Sequence, residues 1–406
     1  MLVSLFKRAL GVRRDGNQLR AQLRDGYSRL QAGDAPGAKR IAQDLLAQDP
    51  TLVGAHLLRA QAAADSGDWD IAFPTIERIL AMHPDHADAY FIRGMMHEQQ
   101  GNAERAIADF ARVLEIDPSH ALAMDRKGAL HDVRGEFAQS LACAERLLQI
   151  DATSAHAYDK LGITLRELGR LRDAEQALRA AIALDVDFQD ARCHLALVLI
   201  DQGLFDEADT LLASVLTRNA GHAEARWTRA VSNLLRSRFD VAWDDYEWRE
   251  HRRDNPLRVS GVPRWDGSPI EDGYLLISAE QGLGDQIMFS SCIEDALRLS
   301  PACAIECDPR LVAIYRRSFP SARVYASDAK SPPEWLPSLP SPLAAQLPMG
   351  SLPGRFRSRA SDFPTRSGYL VADEAAIKDW RARLSTLGPG PKVGLSWTGG
   401  ALKTRR

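Results

Sequence analysis

The chain has 406 residues, of which 45% are hydrophobic and 26% charged, and its formal net charge is −3. Its length suits two or three domains, and its composition is that of an ordinary globular protein. No excess of charge points to nucleic acid or an anionic membrane, and no run approaches the roughly 20 apolar residues that span a bilayer, so stable membrane insertion is not expected and a cytoplasmic location is.

The N-terminus, MLVSLFKRALGVRR, places Lys7 and Arg8 inside its apolar run. A secretory signal needs the basic residues first and an unbroken apolar stretch after them. Residues 1–18 therefore read as a basic amphipathic leader helix, with a membrane-surface anchor as the alternative.

From residue 19 to 252 the sequence repeats. Glycines stand at 33, 67, 101, 135, 169 and 203, each 34 residues after the last. Seven residues before each comes another small residue (Gly26, Ala60, Gly94, Gly128, Gly162, Ala196), and five residues after each a third (Ala38, Ala72, Ala106, Ser140, Ala174, Ala208). Pro50, Pro84 and Pro118 close the first three units. A seventh unit keeps Ala230 and Ala242 but has Ser237 at the glycine position.

This spacing has a physical reading. Each unit is two antiparallel helices. The flanking small residues let them approach, the central glycine supplies a left-handed C-terminal turn, and the proline stops the second helix. Such units bury their apolar faces only by stacking. The pattern resembles the tetratricopeptide (TPR) repeat, which implies an α-solenoid whose first helices line a concave face for proteins or peptides.

The sixth position of each unit reads Arg24, Leu58, Ile92, Arg126, Lys160, His194 and Thr228. O-GlcNAc transferases, which also carry TPR arrays, have an asparagine ladder on the inner face, and none is present here. Arg126, Lys160 and His194 form either a basic stripe for an acidic partner segment or a solvated charged face.

The seventh unit ends in AWDDYEWREHRRDNP, where Trp243, Tyr246 and Trp248 are dense enough to cap the last apolar face against a following domain. Pro256, Gly261, Pro263, Gly267 and Pro269 mark residues 253–272 as a linker.

Beyond it the grammar changes. GYLLISA (273–279), CAIEC (303–307) and ARVYA read as short strands. QIMFSSCIEDALRL, PRLVAIYRRSF and DEAAIKDWRARLSTLG read as helices, 330–354 as a Pro/Ser-rich loop, and KVGLSW as a last strand. Alternation of this kind implies a parallel, Rossmann-like sheet over 273–390. Cys143, Cys193, Cys303 and Cys307 read as reduced core thiols, and no spacing of His and Cys suggests a metal site.

EQGLGD places a glycine loop after the first strand, at the carboxyl edge where open sheets take ligands. It is neither GxGxxG nor a P-loop and carries no lysine, which counts against a phosphate-binding regulator; a tight structural turn is the plain alternative.

YEWR, EQGLGDQIMF, QLPMGSLPGRF, GYLVAD and VGLSWTGG follow in order. Together they resemble a bacterial family that joins TPR repeats to a glycosyltransferase-9-like domain, similar to heptosyltransferases and more distantly to O-GlcNAc transferases. The resemblance implies a GT-B enzyme with no cofactor or metal, using a nucleotide-sugar donor as co-substrate. Asp285 is then the candidate general base, unless it only caps the next helix. Gly282 and Gly284 would shape the loop, Glu280 and Gln281 would contact the acceptor or orient the loop, and Trp397, Thr398 and Gly399 would edge the nucleotide-sugar cleft.

Residues 391–406 cover only the start of a second lobe of that type. The expectation is a fragment or truncated product with little or no transferase activity. Two functions follow: a TPR-containing glycosyltransferase acting on a protein or glycan, or a non-catalytic TPR scaffold for protein–protein interaction.

Overall fold

The computed structural model describes residues 16–252, 257–327, 332–365, 368–388 and 390. The chain forms two compact units, Met1–Val186 and Asp187–Arg406. Among the described residues of the first, ten helices make five antiparallel pairs: α1 (Gly16–Gln31) with α2 (Ala35–Gln48), α3 (Val53–Asp65) with α4 (Trp69–Met82), α5 (Ala87–Gln99) with α6 (Ala103–Ile116), α7 (Ala121–Val133) with α8 (Phe137–Ile150), and α9 (Ala155–Glu167) with α10 (Leu171–Leu184). The second unit opens with two more pairs, α11 (Gln189–Asp201) with α12 (Phe205–Arg218) and α13 (Ala223–Leu235) with α14 (Phe239–Tyr246), followed by a 3-10 turn over Glu247–Arg252.

The expected turn chemistry is present in every pair. The six turn glycines have φ between 73° and 80°, and Ser237 adopts φ 57° at the same place in the seventh pair. One backbone conformation therefore serves all seven turns, and a serine holds it where glycine would be unstrained. The helix glycines answer to a different need. A Cβ on Gly94 would lie 2.7 Å from Phe110, and one on Gly162 would lie 2.5 Å from Leu178, so each bulky partner on the second helix packs into the space of a missing methyl. Phe110 and Leu178 are fully buried as a result.

In the second unit a four-stranded sheet follows: β1 (Tyr274–Ser278), β2 (Cys303–Cys307), β3 (Arg323–Ala326) and β4 (Leu343–Pro348), in the order β3-β2-β1-β4 with all neighbours parallel. Helices α15 (Leu283–Phe289) and α16 (Ile293–Leu299) connect β1 to β2, and α17 (Val312–Ser318) connects β2 to β3. Parallel strands need such crossovers, which cover the sheet and explain its apolar strands.

The strand period of two divides the side chains cleanly. Leu275, Ile277, Cys303, Ile305, Cys307 and Leu347 face a core shared with Ala230 and Tyr246 of the seventh pair. Leu276 and Ala304 face the other way, against Val259, Trp335 and Leu339.

Two segments differ from the sequence expectation. Residues 330–354, read as a loop, contain β4 and α18 (Leu352–Phe356). Their prolines masked a strand that exists because it pairs with β1 from Tyr274↔Leu343 to Ser278↔Pro348. The described part of the 253–272 linker is packed rather than free. Trp265 is buried, and the Gln346 side chain donates to the Val259 and Val262 carbonyls and accepts from the Val259 amide. Trp265 N–H donates to Gln346 O, and Gln346 N–H donates to Pro263 O, so this segment covers the open edge of β4. Helix α19 (Glu374–Ser385) ends the described fold and buries none of its residues. Of the leader expected over residues 1–18, residues 1–15 lie outside the described residues and residues 16–18 belong to α1; the KVGLSW strand also lies outside the described residues.

Candidate functional site

The repeat surface does not present its sixth positions uniformly. Leu58, Ile92 and Thr228 are buried, so this position is core in the second, third and seventh pairs. Arg126 is half-buried and donates to both oxygens of Glu98 at 3.1 and 3.2 Å. Lys160 lines a small pocket with Asp125, Asp132 and Ser140. Burial raises the carboxyl pKa of Asp132, an effect Lys160 opposes. Asp125 accepts from His156 at 3.0 Å, and that bond raises the imidazole pKa. The basic groups of the first unit thus already face carboxylates, which lessens the net positive field expected of a stripe. His194 stands half-buried on α11 in the second unit.

The glycine loop is built more tightly. Glu280 leaves β1 and receives Arg249 Nε at 3.1 Å, Arg249 Nη2 at 2.7 Å and the Gly350 amide at 2.6 Å. A Cβ on Gly350 would lie 2.3 Å from Glu280 Oε1, so a larger residue there would push the carboxylate out of this position. Arg249 Nη2 also donates to Ser351 Oγ at 2.7 Å, and its guanidinium lies 4.6 Å above the Tyr246 ring. Burial alone would lower the Arg249 pKa; the bonds to Glu280 overcome it and hold the group charged. Arg264 extends the network, reaching Glu250, Glu247 and Ser351.

Next to Glu280, Gln281 adopts φ 61°. This is a left-handed conformation that glutamine rarely occupies, and the surroundings impose it. Its amide donates to Tyr246 Oη at 2.9 Å. Gly282, at the end of the loop, and Gly284, in the first turn of α15, are both exposed. Asp285 Oδ2 accepts the Gly282 amide at 3.1 Å, the reciprocal half of an N-terminal cap on α15. The structure therefore brings Glu280, Gln281, Gly282 and Asp285 together at the end of β1, with Glu280 bonded to Arg249 and Gly350 and Gln281 bonded to Tyr246. Trp397, Thr398 and Gly399 lie outside the described residues.

Arg249, Gly350 and Ser351 escaped the sequence reading. They stand inside YEWR and QLPMGSLPGRF, motifs that carry the family resemblance without giving these three residues a role. Of the aromatics that end the seventh unit, Trp243 donates to Arg357 O at 2.8 Å and Tyr246 meets Phe289, as the capping expectation required. Trp248 turns back instead, stacking on His251 and under Arg226. Among the described residues no group of three His, Cys, Asp or Glu side chains can hold a metal ion, and no helix is long and apolar enough to cross a membrane.

Residues 57–121 and 165–234 each match a family described as tetratricopeptide repeat. These segments are TPR repeats. Protein FlbA of Caulobacter vibrioides (strain ATCC 19089 / CIP 103742 / CB 15) is 32% identical over 197 residues, covering 45% of this chain and 33% of FlbA. The chain thus spans about a third of the length of that curated relative. A tetratricopeptide repeat protein from Parabacteroides merdae superposes with a TM-score of 0.48 at 16% identity, covering 58% of this chain and 93% of that one. YrrB, described as a TPR protein with an unusual peptide-binding site, superposes with a TM-score of 0.35 at 22% identity, covering 44% of this chain and 93% of that one.

Proposed function

We propose that the chain is a protein-interaction scaffold whose helix pairs hold a peptide segment of a partner. The observation that carries this reading is the run of TPR repeats itself, because stacked helix pairs create extended surfaces of the kind repeat proteins use for binding. The half-buried charges Arg126, Glu98, Lys160 and Asp125 offer selective contacts on the repeats of the first unit, favouring a segment of mixed charge over a purely acidic one. An array of overlapping peptides from co-purifying proteins, probed with the chain, tests it. Defined peptides should bind, and charge reversal at Arg126 or Lys160 should weaken a subset. An array without any saturable binder would end the scaffold reading.

A second reading is favoured by one observation, the parallel order β3-β2-β1-β4 with a glycine loop at the end of β1. This order is similar to half of a Rossmann-like sheet, which supports a reading of the region as the acceptor lobe of a nucleotide-sugar transferase. In that reading the second oxygen of Asp285 takes the proton of an acceptor hydroxyl. Calorimetry with UDP-, GDP- and ADP-sugars tests it: saturable heat from one donor, with transfer lost in Asp285→Asn, would support the enzyme. Asp285→Ala should in either case cost about 0.5–2 kcal/mol through the lost cap.

A further inference from the structure

Four pairs carry a glycine at the first small position, and three of them share one packing rule. A Cβ on Gly26 would lie 2.4 Å from Leu58, one on Gly94 2.7 Å from Phe110, and one on Gly162 2.5 Å from Leu178. A bulky apolar side chain thus fills the space beside each of these glycines. It comes from the second helix of the same pair (Phe110, Leu178) or from the first helix of the next pair (Leu58). Gly128 breaks the rule, for its nearest neighbour is Cys143 Cβ at 3.1 Å.

The sequence explains the exception. Ala144 stands 34 residues after Phe110 and 34 before Leu178, so the second helix of the fourth pair offers only a methyl group. The first pair has the same gap, with Ala42 at that position, and Leu58 fills it from the second pair. For the fourth pair, the residue equivalent to Leu58 is Lys160. Its charged head cannot be buried in place of an apolar plug.

What remains is a cavity between α7, α8 and α9. Met124, Cys143, Ala144 and Leu147 form its apolar wall, and Asp125, Asp132, Ser140 and Lys160 its polar wall. The space open to the centre of a water molecule is about 10 Å³, the volume of about one water-sized sphere. Cavities of that size stay dry when their walls are apolar and take water when several polar groups converge on them.

The polar groups here converge without joining. Thr164 Oγ1 donates to Asp132 at 3.4 Å and lies 3.1 Å from Ser140 Oγ. Asp125 is already bonded to His156 at 3.0 Å. Lys160 makes no hydrogen bond or ion pair among the described residues. Burial raises the Asp132 pKa, and the Lys160 charge opposes that rise. An ammonium and a carboxylate therefore line one small cavity and act on each other without touching.

We propose that this cavity is a structural hydration site. One water accepts a hydrogen bond from Lys160 Nζ and donates to the Asp132 carboxylate and to Ser140 Oγ. It completes the core where the fourth pair meets the fifth, in the place that Leu58, Phe110 and Leu178 hold elsewhere. Lys160 keeps two N–H donors for a partner, so the site stands independently of the scaffold reading.

The test is a crystal structure of the full chain at a resolution that shows ordered solvent, beside structures of Ala144→Leu and Lys160→Leu. The wild-type crystal should hold one solvent peak within hydrogen-bond distance of Lys160 Nζ, Asp132 and Ser140 Oγ. Ala144→Leu should lose the peak, because leucine fills this space as Leu178 does in the fifth pair. Lys160→Leu should lose it too, by restoring the arrangement of Leu58 beside Gly26. A dry cavity, a direct Lys160–Asp132 ion pair, or a peak that persists in both variants overturns the proposal. The wild-type map decides by itself if neither variant folds.

Discussion

Arg249 and Glu280 meet at 2.7 Å with 8% and 7% of their side chains exposed. The first belongs to the turn that ends the seventh helix pair, the second to the loop that leaves β1. A buried pair of this kind adds little net stability, but either partner left alone is an uncompensated charge. The seventh pair and the glycine loop are therefore held as one piece.

Arg249→Met should cost roughly 3–5 kcal/mol, as should Glu280→Gln to a lesser degree. The double variant Arg249→Met/Glu280→Leu should recover much of the loss, because both charges go together. Urea midpoints of the three proteins measure this. A loss below about 1 kcal/mol in Arg249→Met would place the pair among weak surface bridges.

The turn of the seventh pair offers an easy gain. Ser237 holds φ 57° where six glycines stand in the other pairs. Ser237→Gly should raise stability by up to about 1 kcal/mol, and Gly135→Ala should lower it by a similar amount. Thermal melts of the two variants should move in opposite directions.

Helix glycines should not all behave alike. Ala is worth about 1 kcal/mol more than Gly in a helix interior. At Gly94 that gain meets Phe110 at 2.7 Å, whereas at Gly128 the nearest atom is Cys143 Cβ at 3.1 Å. Gly94→Ala should therefore destabilise by about 1–3 kcal/mol through overpacking. Gly128→Ala should cost clearly less, and equal losses in denaturant midpoints would contradict the packing account.

Burial pushes the Cys303 and Cys307 thiols from an ordinary value of 9.0 up to about 12, helped at Cys307 by the Asp308 charge. A pKa raised on folding favours the folded state fully below the unfolded value and loses that advantage as pH rises through the folded value. Stability should thus fall between about pH 9 and 12, by up to roughly 1.4 kcal/mol per pH unit per thiol. Cys303→Ala/Cys307→Ala should flatten that slope. All five cysteines are free and buried, so the native protein at pH 8 should resist alkylation that the unfolded chain accepts.

Local physics made much of this protein legible from its sequence. The helix pairs follow from a 34-residue period, because turn glycines and small helix residues act within a single unit. β1 and β2 follow from short apolar runs buried on both faces, and β3 from a shorter run, RVYA, in which Val324 alone is buried. β4 did not, since a six-residue run ending in Pro348 and lacking any β-branched residue becomes a strand only by pairing with β1 across a long crossover. The sixth repeat positions were legible only in part, because burial of Leu58, Ile92 and Thr228 depends on how neighbouring helices sit. Around the glycine loop, Asp285 and its capping role were readable, as both partners lie within three residues. Arg249 and Gly350 were not. They approach Glu280 from 31 and 70 residues away, and only tertiary packing brings a guanidinium and an amide from such distances onto one buried carboxylate.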